Sequence, residues 1–137
     1  MENTTIFSTN YPLRILIAED HPDPQSTTKN MLCTLGYHPE VAANSREMLQ
    51  MAGTKAYDLI LMDINMPEAE QMIADRLRTK GASRPLIIAM TGNTKAGFRQ
   101  ICLEARMDHC IRKPVDPKEL RLQLKACSLL TGSCQIR

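Results

Sequence analysis

The chain has 137 residues, of which 43% are hydrophobic and 23% are charged, and this composition suits a single globular domain with one core. Its net charge of +2 is too small to indicate a nucleic-acid-binding protein, and no apolar run approaches the roughly 18 residues that a membrane helix needs. The five cysteines show no C-x-x-C spacing, so neither a zinc site nor a disulfide framework is predicted. Because the N-terminus also lacks the features of a signal peptide, we expect a reducing, cytoplasmic location.

The chain begins with a polar segment, residues 1–12, which is expected to form a flexible N-terminal tail. Short apolar runs then alternate with amphipathic segments. The strong runs show no polar alternation, which is typical of parallel strands buried on both faces, and they cover residues 13–18, 58–62 and 85–90. Two weaker runs, around Val41 and around Ile111, predict short or edge strands.

The segments between these runs have helical period. Apolar residues recur every three or four positions in segments 28–35, 69–77 and 98–105, and Gly36 is expected to end the first of these helices. Strands and helices therefore alternate along the chain, which predicts a parallel sheet with helices on both faces.

Two helix starts and one end are marked by the sequence. Asn44 with Glu47, and Asp116 with Glu119, have the spacing of a capping box. The helical period fades from residue 128, so we expect a folded domain over residues 13–130 and a C-terminal tail over residues 131–137.

Polar residues with related chemistry follow the predicted strands. In an open parallel sheet, ligands bind beyond the carboxyl ends of the strands, so these residues should meet at one edge. The strands end in an acid pair, an aspartate, a threonine and a lysine, which are Glu19 with Asp20, Asp63, Thr91 and Lys113.

This set predicts phosphoryl transfer. Three neighbouring carboxylates repel one another and need a counter-charge, and Mg²⁺ fits a ligand set made only of oxygen atoms. With two carboxylates on the metal, the third can attack phosphorus and form an aspartyl phosphate. A lysine and a hydroxyl group would then neutralise charge on the transferring group.

Four stretches of the sequence resemble the receiver domain of two-component response regulators: I-L-I-A-E-D, D-L-I-L-M-D-I-N-M-P, P-L-I-I-A-M-T-G-N and I-R-K-P-V. The resemblance covers roughly residues 13–127 and is greatest with the receivers of hybrid histidine kinases. It implies a flavodoxin-like α/β fold, (βα)5, with a doubly wound parallel sheet of five strands in the order 2-1-3-4-5.

The resemblance also implies a role for each site residue. Asp63 matches the phosphoacceptor and a metal ligand, while Asp20 and Glu19 match the acids that hold Mg²⁺ directly and through water. The backbone carbonyl of Asn65 matches a further metal ligand. Thr91 matches the hydroxyl group that turns towards the phosphoryl group, and Lys113 matches the ammonium group that pairs with the acceptor. In the family the peptide bond before the proline that follows this lysine is usually cis.

The sequence departs from the family pattern at three positions. Gln71 and Arg106 stand where the family usually has glycine. Cys110, preceded by His109, stands where the family usually has an aromatic residue that moves together with the threonine.

The resulting prediction is a phosphorelay receiver that accepts a phosphoryl group from phosphohistidine. It is not a dedicated enzyme, although the family catalyses its own phosphorylation and dephosphorylation. The expected partners are a histidine kinase or a histidine phosphotransfer domain, with a transient dimer on phosphorylation and no direct contact with nucleic acid or membrane. The chain is expected to act either alone or as the cytoplasmic part of a membrane-bound hybrid kinase.

Three alternatives remain at this point. One is a pseudo-receiver, which keeps the fold and acts through protein contacts without phosphorylation. A phosphohydrolase that uses an aspartyl phosphate would need a second aspartate where Asn65 stands, and a flavodoxin would need a phosphate loop after the first strand and more than 4% aromatic residues. His21 follows the acid pair and is expected to be an exposed loop residue, since Mg²⁺ prefers oxygen ligands.

Overall fold

A computed structural model of the chain describes residues 4–63, 85–92 and 109–131. These residues form five strands, which are β1 (Ile15–Ala18), β2 (Glu40–Ala42), β3 (Leu59–Asp63), β4 (Leu86–Thr91) and β5 (His109–Arg112). They also form four helices, which are α1 (Thr4–Asn10), α2 (Pro22–Thr34), α3 (Ser45–Thr54) and α4 (Pro117–Thr131). None of these four helices combines the length and apolar character that a bilayer-spanning helix requires.

The five strands form one parallel sheet in the order β2-β1-β3-β4-β5, as expected for a flavodoxin-like fold. β1 lies between β2 and β3 and pairs with both. The register places Ala18 opposite Met62, and Asp63 opposite Met90. The C-terminal ends of β1, β3 and β4 therefore lie side by side at one edge of the sheet.

Two apolar clusters cover the two faces of the sheet. Successive residues of a strand point to opposite faces, so Leu16 belongs to one cluster and Ile17 to the other. The first cluster includes Met48 of α3, and the second includes Leu32 of α2 and Leu124 of α4. Helices therefore pack on both faces, which explains why the strands read as continuous apolar runs.

The helix boundaries follow the signals in the sequence. At the start of α3, the Asn44 side chain accepts a hydrogen bond from the backbone N–H of Glu47 at 2.8 Å, and the Glu47 carboxylate accepts one from the backbone N–H of Ala43 at 2.8 Å. Gly36 follows α2 with φ of 99°, a left-handed conformation that glycine adopts with little strain. The segments 69–77 and 98–105, for which helices were predicted, lie outside the described residues.

The N-terminal segment differs from the expected flexible tail, whereas the C-terminal tail lies almost wholly outside the described residues. Residues Thr4–Asn10 form α1, and the Phe7 ring contacts the Tyr37 ring at 6.4 Å between centroids. The Tyr37 hydroxyl donates a hydrogen bond to the Tyr11 carbonyl at 2.5 Å. At the other end, α4 continues to Thr131, beyond the point where the helical period fades. Contacts from distant parts of the chain thus order a segment whose own sequence shows no periodicity.

The prediction that the chain has no disulfide is wrong for one cysteine. Cys110 of β5 is disulfide-bonded, and its partner lies outside the described residues. Cys33 and Cys127 are free thiols, the first exposed and the second buried. Spacing along the chain could not predict this bond, because a fold can bring together cysteines that no local motif connects.

Candidate functional site

The candidate site lies where β1, β3, β4 and β5 end. Glu19 directly follows β1, Asp63 is the last residue of β3, and Thr91 is the last residue of β4. Lys113 follows β5, and its backbone N–H donates a hydrogen bond to the Thr91 carbonyl at 2.7 Å. The apolar strand residues place these polar groups at the sheet edge, because β1, β3 and β4 are each buried up to the last residue.

Two buried carboxylates share one lysine at this edge. The side chains of Glu19 and Asp63 are 1% and 0% exposed, and Lys113 Nζ lies 2.7 Å from Glu19 Oε1 and 3.3 Å from Asp63 Oδ1. A buried carboxylate keeps its charge only when an opposite charge or hydrogen-bond donors compensate for lost water. The Lys113 ammonium group therefore compensates part of the charge of both carboxylates.

Asp20 and His21 lie at the mouth of the site. The Asp20 carboxylate is partly exposed, and the His21 side chain is largely exposed. His21 Nδ1 nevertheless lies 2.9 Å from Asp20 Oδ1, 3.2 Å from Glu19 Oε2 and 3.8 Å from Asp63 Oδ2. His21 is exposed, as expected, but its ring also contacts the acidic groups.

The acid pair is held in place by the start of α2. The Gln25 side-chain amide donates a hydrogen bond to the Glu19 carbonyl at 2.8 Å, and the backbone N–H of His21 donates one to Glu19 Oε2 at 3.3 Å. Residue Gln25 was not singled out in the sequence, since no local pattern shows that a glutamine six positions later folds back on the acid pair.

The donor set fits a divalent cation. Single ligand atoms of Glu19, Asp20, His21 and Asp63 all lie within 4.8 Å of one another. The three carboxylates carry more negative charge than Lys113 neutralises, and a hard cation such as Mg²⁺ is bound by carboxylate oxygens and water.

Thr91 and the peptide bond after Lys113 complete the described part of the site. Thr91, the last residue of β4, is buried. β4 pairs with β5, the strand that leads to Lys113. The peptide bond between Lys113 and Pro114 is cis, as the resemblance implied. Asn65, Gln71 and Arg106 lie outside the described residues.

Comparisons with known proteins show the family to which the chain belongs. Residues 15–125 match the family model of the response regulator receiver domain. The chain is 33% identical over 116 residues to the sensor histidine kinase RcsC of Salmonella typhi, a match that covers 84% of this chain and 12% of that protein. It is 36% identical over 133 residues to histidine protein kinase 1 of Candida albicans, covering 87% of this chain and 5% of that protein. The chain thus spans a small part of these relatives.

Solved structures show the same fold. The receiver domain of a sensor histidine kinase from Pseudomonas aeruginosa, solved with a magnesium ion in its active-site cleft, is 32% identical with a TM-score of 0.73, and the match covers 85% of this chain and 97% of that one. A Saccharomyces cerevisiae receiver domain, solved in complex with a histidine phosphotransfer protein, is 20% identical with a TM-score of 0.79, covering 90% of this chain and 92% of that one. At that lower identity the likeness concerns the fold alone.

Proposed function

We propose that this chain, which belongs to the response regulator receiver domains, accepts a phosphoryl group on Asp63 in a phosphorelay. The observation that carries the proposal is the pair of buried carboxylates, Glu19 and Asp63, held by the same ammonium group of Lys113. A pair of buried acids is costly for a fold, so their presence at a ligand-binding sheet edge favours a chemical role over a structural one.

The chemistry assigned to the protein side chains is a single displacement. An Asp63 oxygen attacks phosphorus and forms the acyl phosphate bond, while the phosphorus–nitrogen bond of a phosphohistidine breaks and its electron pair stays on the leaving imidazole. Lys113, 3.3 Å from Asp63 Oδ1, would stabilise negative charge on the transferring oxygens. Thr91, at the end of the neighbouring strand β4, would supply a hydroxyl donor to the same oxygens.

A Mg²⁺ ion, when bound, would neutralise charge on the phosphoryl oxygens and on the carboxylates. Glu19, Asp20 and Asp63 are the residues assigned to it, with the Asn65 carbonyl as a further ligand. The relative from Pseudomonas aeruginosa, which holds magnesium in its cleft, supports this assignment.

The proposed partners are a histidine kinase domain or a histidine phosphotransfer domain. The two relatives described above are histidine kinases many times the length of this chain, which supports a histidine kinase system as the source of the phosphoryl group. The chain itself is a signalling domain, and any catalysis concerns its own phosphorylation and dephosphorylation.

The test is intact mass spectrometry after incubation with acetyl phosphate and Mg²⁺. One added phosphoryl group is expected for the wild type, and none is expected after chelation of Mg²⁺ or in Asp63→Asn. Asp58→Asn is the matched control, because Asp58 lies at the other end of β3, where it pairs with Arg14. Asp58→Asn should be phosphorylated like the wild type.

A pseudo-receiver would behave differently. If acetyl phosphate leaves the mass unchanged, the same measurement is repeated with a phosphorylated histidine phosphotransfer protein as donor. Failure with both donors would refute phosphoacceptance and leave a domain that acts by contact alone.

A further inference from the structure

His21 carries chemistry that the proposed phosphoryl transfer does not use. Its side chain is 64% exposed, yet Nδ1 is turned towards three carboxylates. The nearest of these, Asp20 Oδ1, is 2.9 Å away. An imidazole nitrogen directed into a cluster of carboxylates is a metal-ligand arrangement as well as an ion pair.

The backbone around His21 favours this orientation. His21 is the N-cap residue of α2, with φ of −99° and ψ of 125°, and its side chain makes no capping hydrogen bond. Pro22 follows, and a residue before proline is confined to extended conformations. The His21 side chain is therefore not used by the helix terminus, and its backbone N–H is fixed against Glu19 Oε2 at 3.3 Å.

Lys113 and His21 approach opposite oxygens of the same carboxylates. Lys113 lies near Glu19 Oε1 and Asp63 Oδ1, whereas His21 Nδ1 lies 3.2 Å from Glu19 Oε2 and 3.8 Å from Asp63 Oδ2. The lysine and the histidine thus face different oxygens of the two carboxylates.

The distances fit one coordination sphere. With metal–ligand bonds of about 2.1 Å, neighbouring ligand atoms are separated by about 3.0 Å in an octahedron and about 3.4 Å in a tetrahedron, and opposite ones by about 4.2 Å. His21 Nδ1 lies 2.9, 3.2 and 3.8 Å from the three carboxylate oxygens. These values span the range expected for ligands of a single ion.

The ligand type then determines which ion is preferred. Carboxylate oxygens and water suit Mg²⁺, whereas an imidazole nitrogen suits Co²⁺, Ni²⁺ and Zn²⁺ and adds more to their affinity than to that of Mg²⁺. We propose that His21 is a nitrogen ligand of the cation site, so that it raises the affinity of this receiver for late first-row divalent metals more than its affinity for Mg²⁺. The proposal rests on the metal-dependent function above and adds its ion selectivity.

The experiment compares Co²⁺ and Mg²⁺ binding by calorimetry in the wild type, His21→Gln and His38→Gln. Loss of the nitrogen ligand should weaken Co²⁺ binding by at least about tenfold and lower the ratio of Co²⁺ to Mg²⁺ affinity by a similar factor. His38 is an exposed histidine in the loop before β2, at the opposite edge of the sheet, so His38→Gln should match the wild type.

A spectroscopic measurement tests coordination directly. If Nδ1 binds Co²⁺, the proton on Nε2 should give a shifted, solvent-exchangeable resonance in the proton NMR spectrum of the Co²⁺-loaded protein. The resonance should be present in the wild type and in His38→Gln and absent from His21→Gln.

Two results would overturn the inference. One is equal Co²⁺ affinity in the wild type and His21→Gln. The other is an equal loss of Co²⁺ and Mg²⁺ affinity in His21→Gln, which would show a general electrostatic effect in place of coordination. Either result can occur while Mg²⁺-dependent phosphorylation of the wild type proceeds, so this inference can fail without the proposed function.

Discussion

Replacing Lys113 by methionine tests how much the buried charges of the site depend on the Lys113 ammonium group. Methionine keeps most of the apolar stem and removes the charge. Removing one partner of a buried ion pair costs about 3–5 kcal/mol, and the lower end applies here because the Lys113 side chain is 19% exposed. We therefore expect Lys113→Met to lower the free energy of unfolding by about 3 kcal/mol in the absence of divalent cations.

A second lysine–glutamate pair provides the matched control. Lys55 Nζ lies 2.6 Å from Glu40 Oε2, which is as close as the Lys113 pair, but the two side chains are 57% and 41% exposed. An exposed pair contributes up to about 1 kcal/mol, so Lys55→Met should be much milder. Urea denaturation of both variants in a chelating buffer makes the comparison. Equal losses, or a stabilised Lys113→Met, would refute the view that burial determines the cost.

Three further predictions concern the scaffold. A hydrogen bond from Lys55 holds the pKa of Glu40 below its ordinary value, so Glu40 stabilises the fold at neutral pH and loses this effect as pH falls through its folded-state pKa. The difference in unfolding free energy between wild type and Glu40→Gln should therefore shrink on acidification, and a growing difference would contradict it. Gly36→Ala should destabilise the fold by about 1 kcal/mol because φ is 99°, whereas Gly53→Ala in α3 should stabilise it by about 0.5–1 kcal/mol, both measured by denaturation. Phe7→Ala should lower the free energy of unfolding by about 2 kcal/mol, and with it the melting temperature, because packing of α1 is lost. An unchanged melting temperature would show that α1 does not support the core.

The sheet and the site edge could be predicted because burial leaves a strong signal. Parallel strands covered on both faces read as short apolar runs, and the polar residue that ends each run must lie at the same edge. Glu19, Asp63, Thr91 and Lys113 were identified in this way, and the structure brings them to neighbouring strand ends.

Features that depend on distant contacts could not be predicted in the same way. α1 has no helical period and is ordered by Phe7 packing against Tyr37. The disulfide of Cys110 has no local motif. The orientation of His21 towards the carboxylates depends on a side-chain rotamer beside Pro22, and the sequence shows only that the residue follows the acid pair.

The most direct test of the central claim is the location of the phosphoryl group. The protein is phosphorylated with acetyl phosphate and Mg²⁺, then treated with borohydride, which reduces an acyl phosphate of aspartate to homoserine, and its peptides are sequenced by mass spectrometry. We predict homoserine at position 63 in the wild type and an unreduced aspartate at position 58. Homoserine at Asp20 or Asp58, with Asp63 intact, would contradict the assignment of Asp63 as the phosphoacceptor.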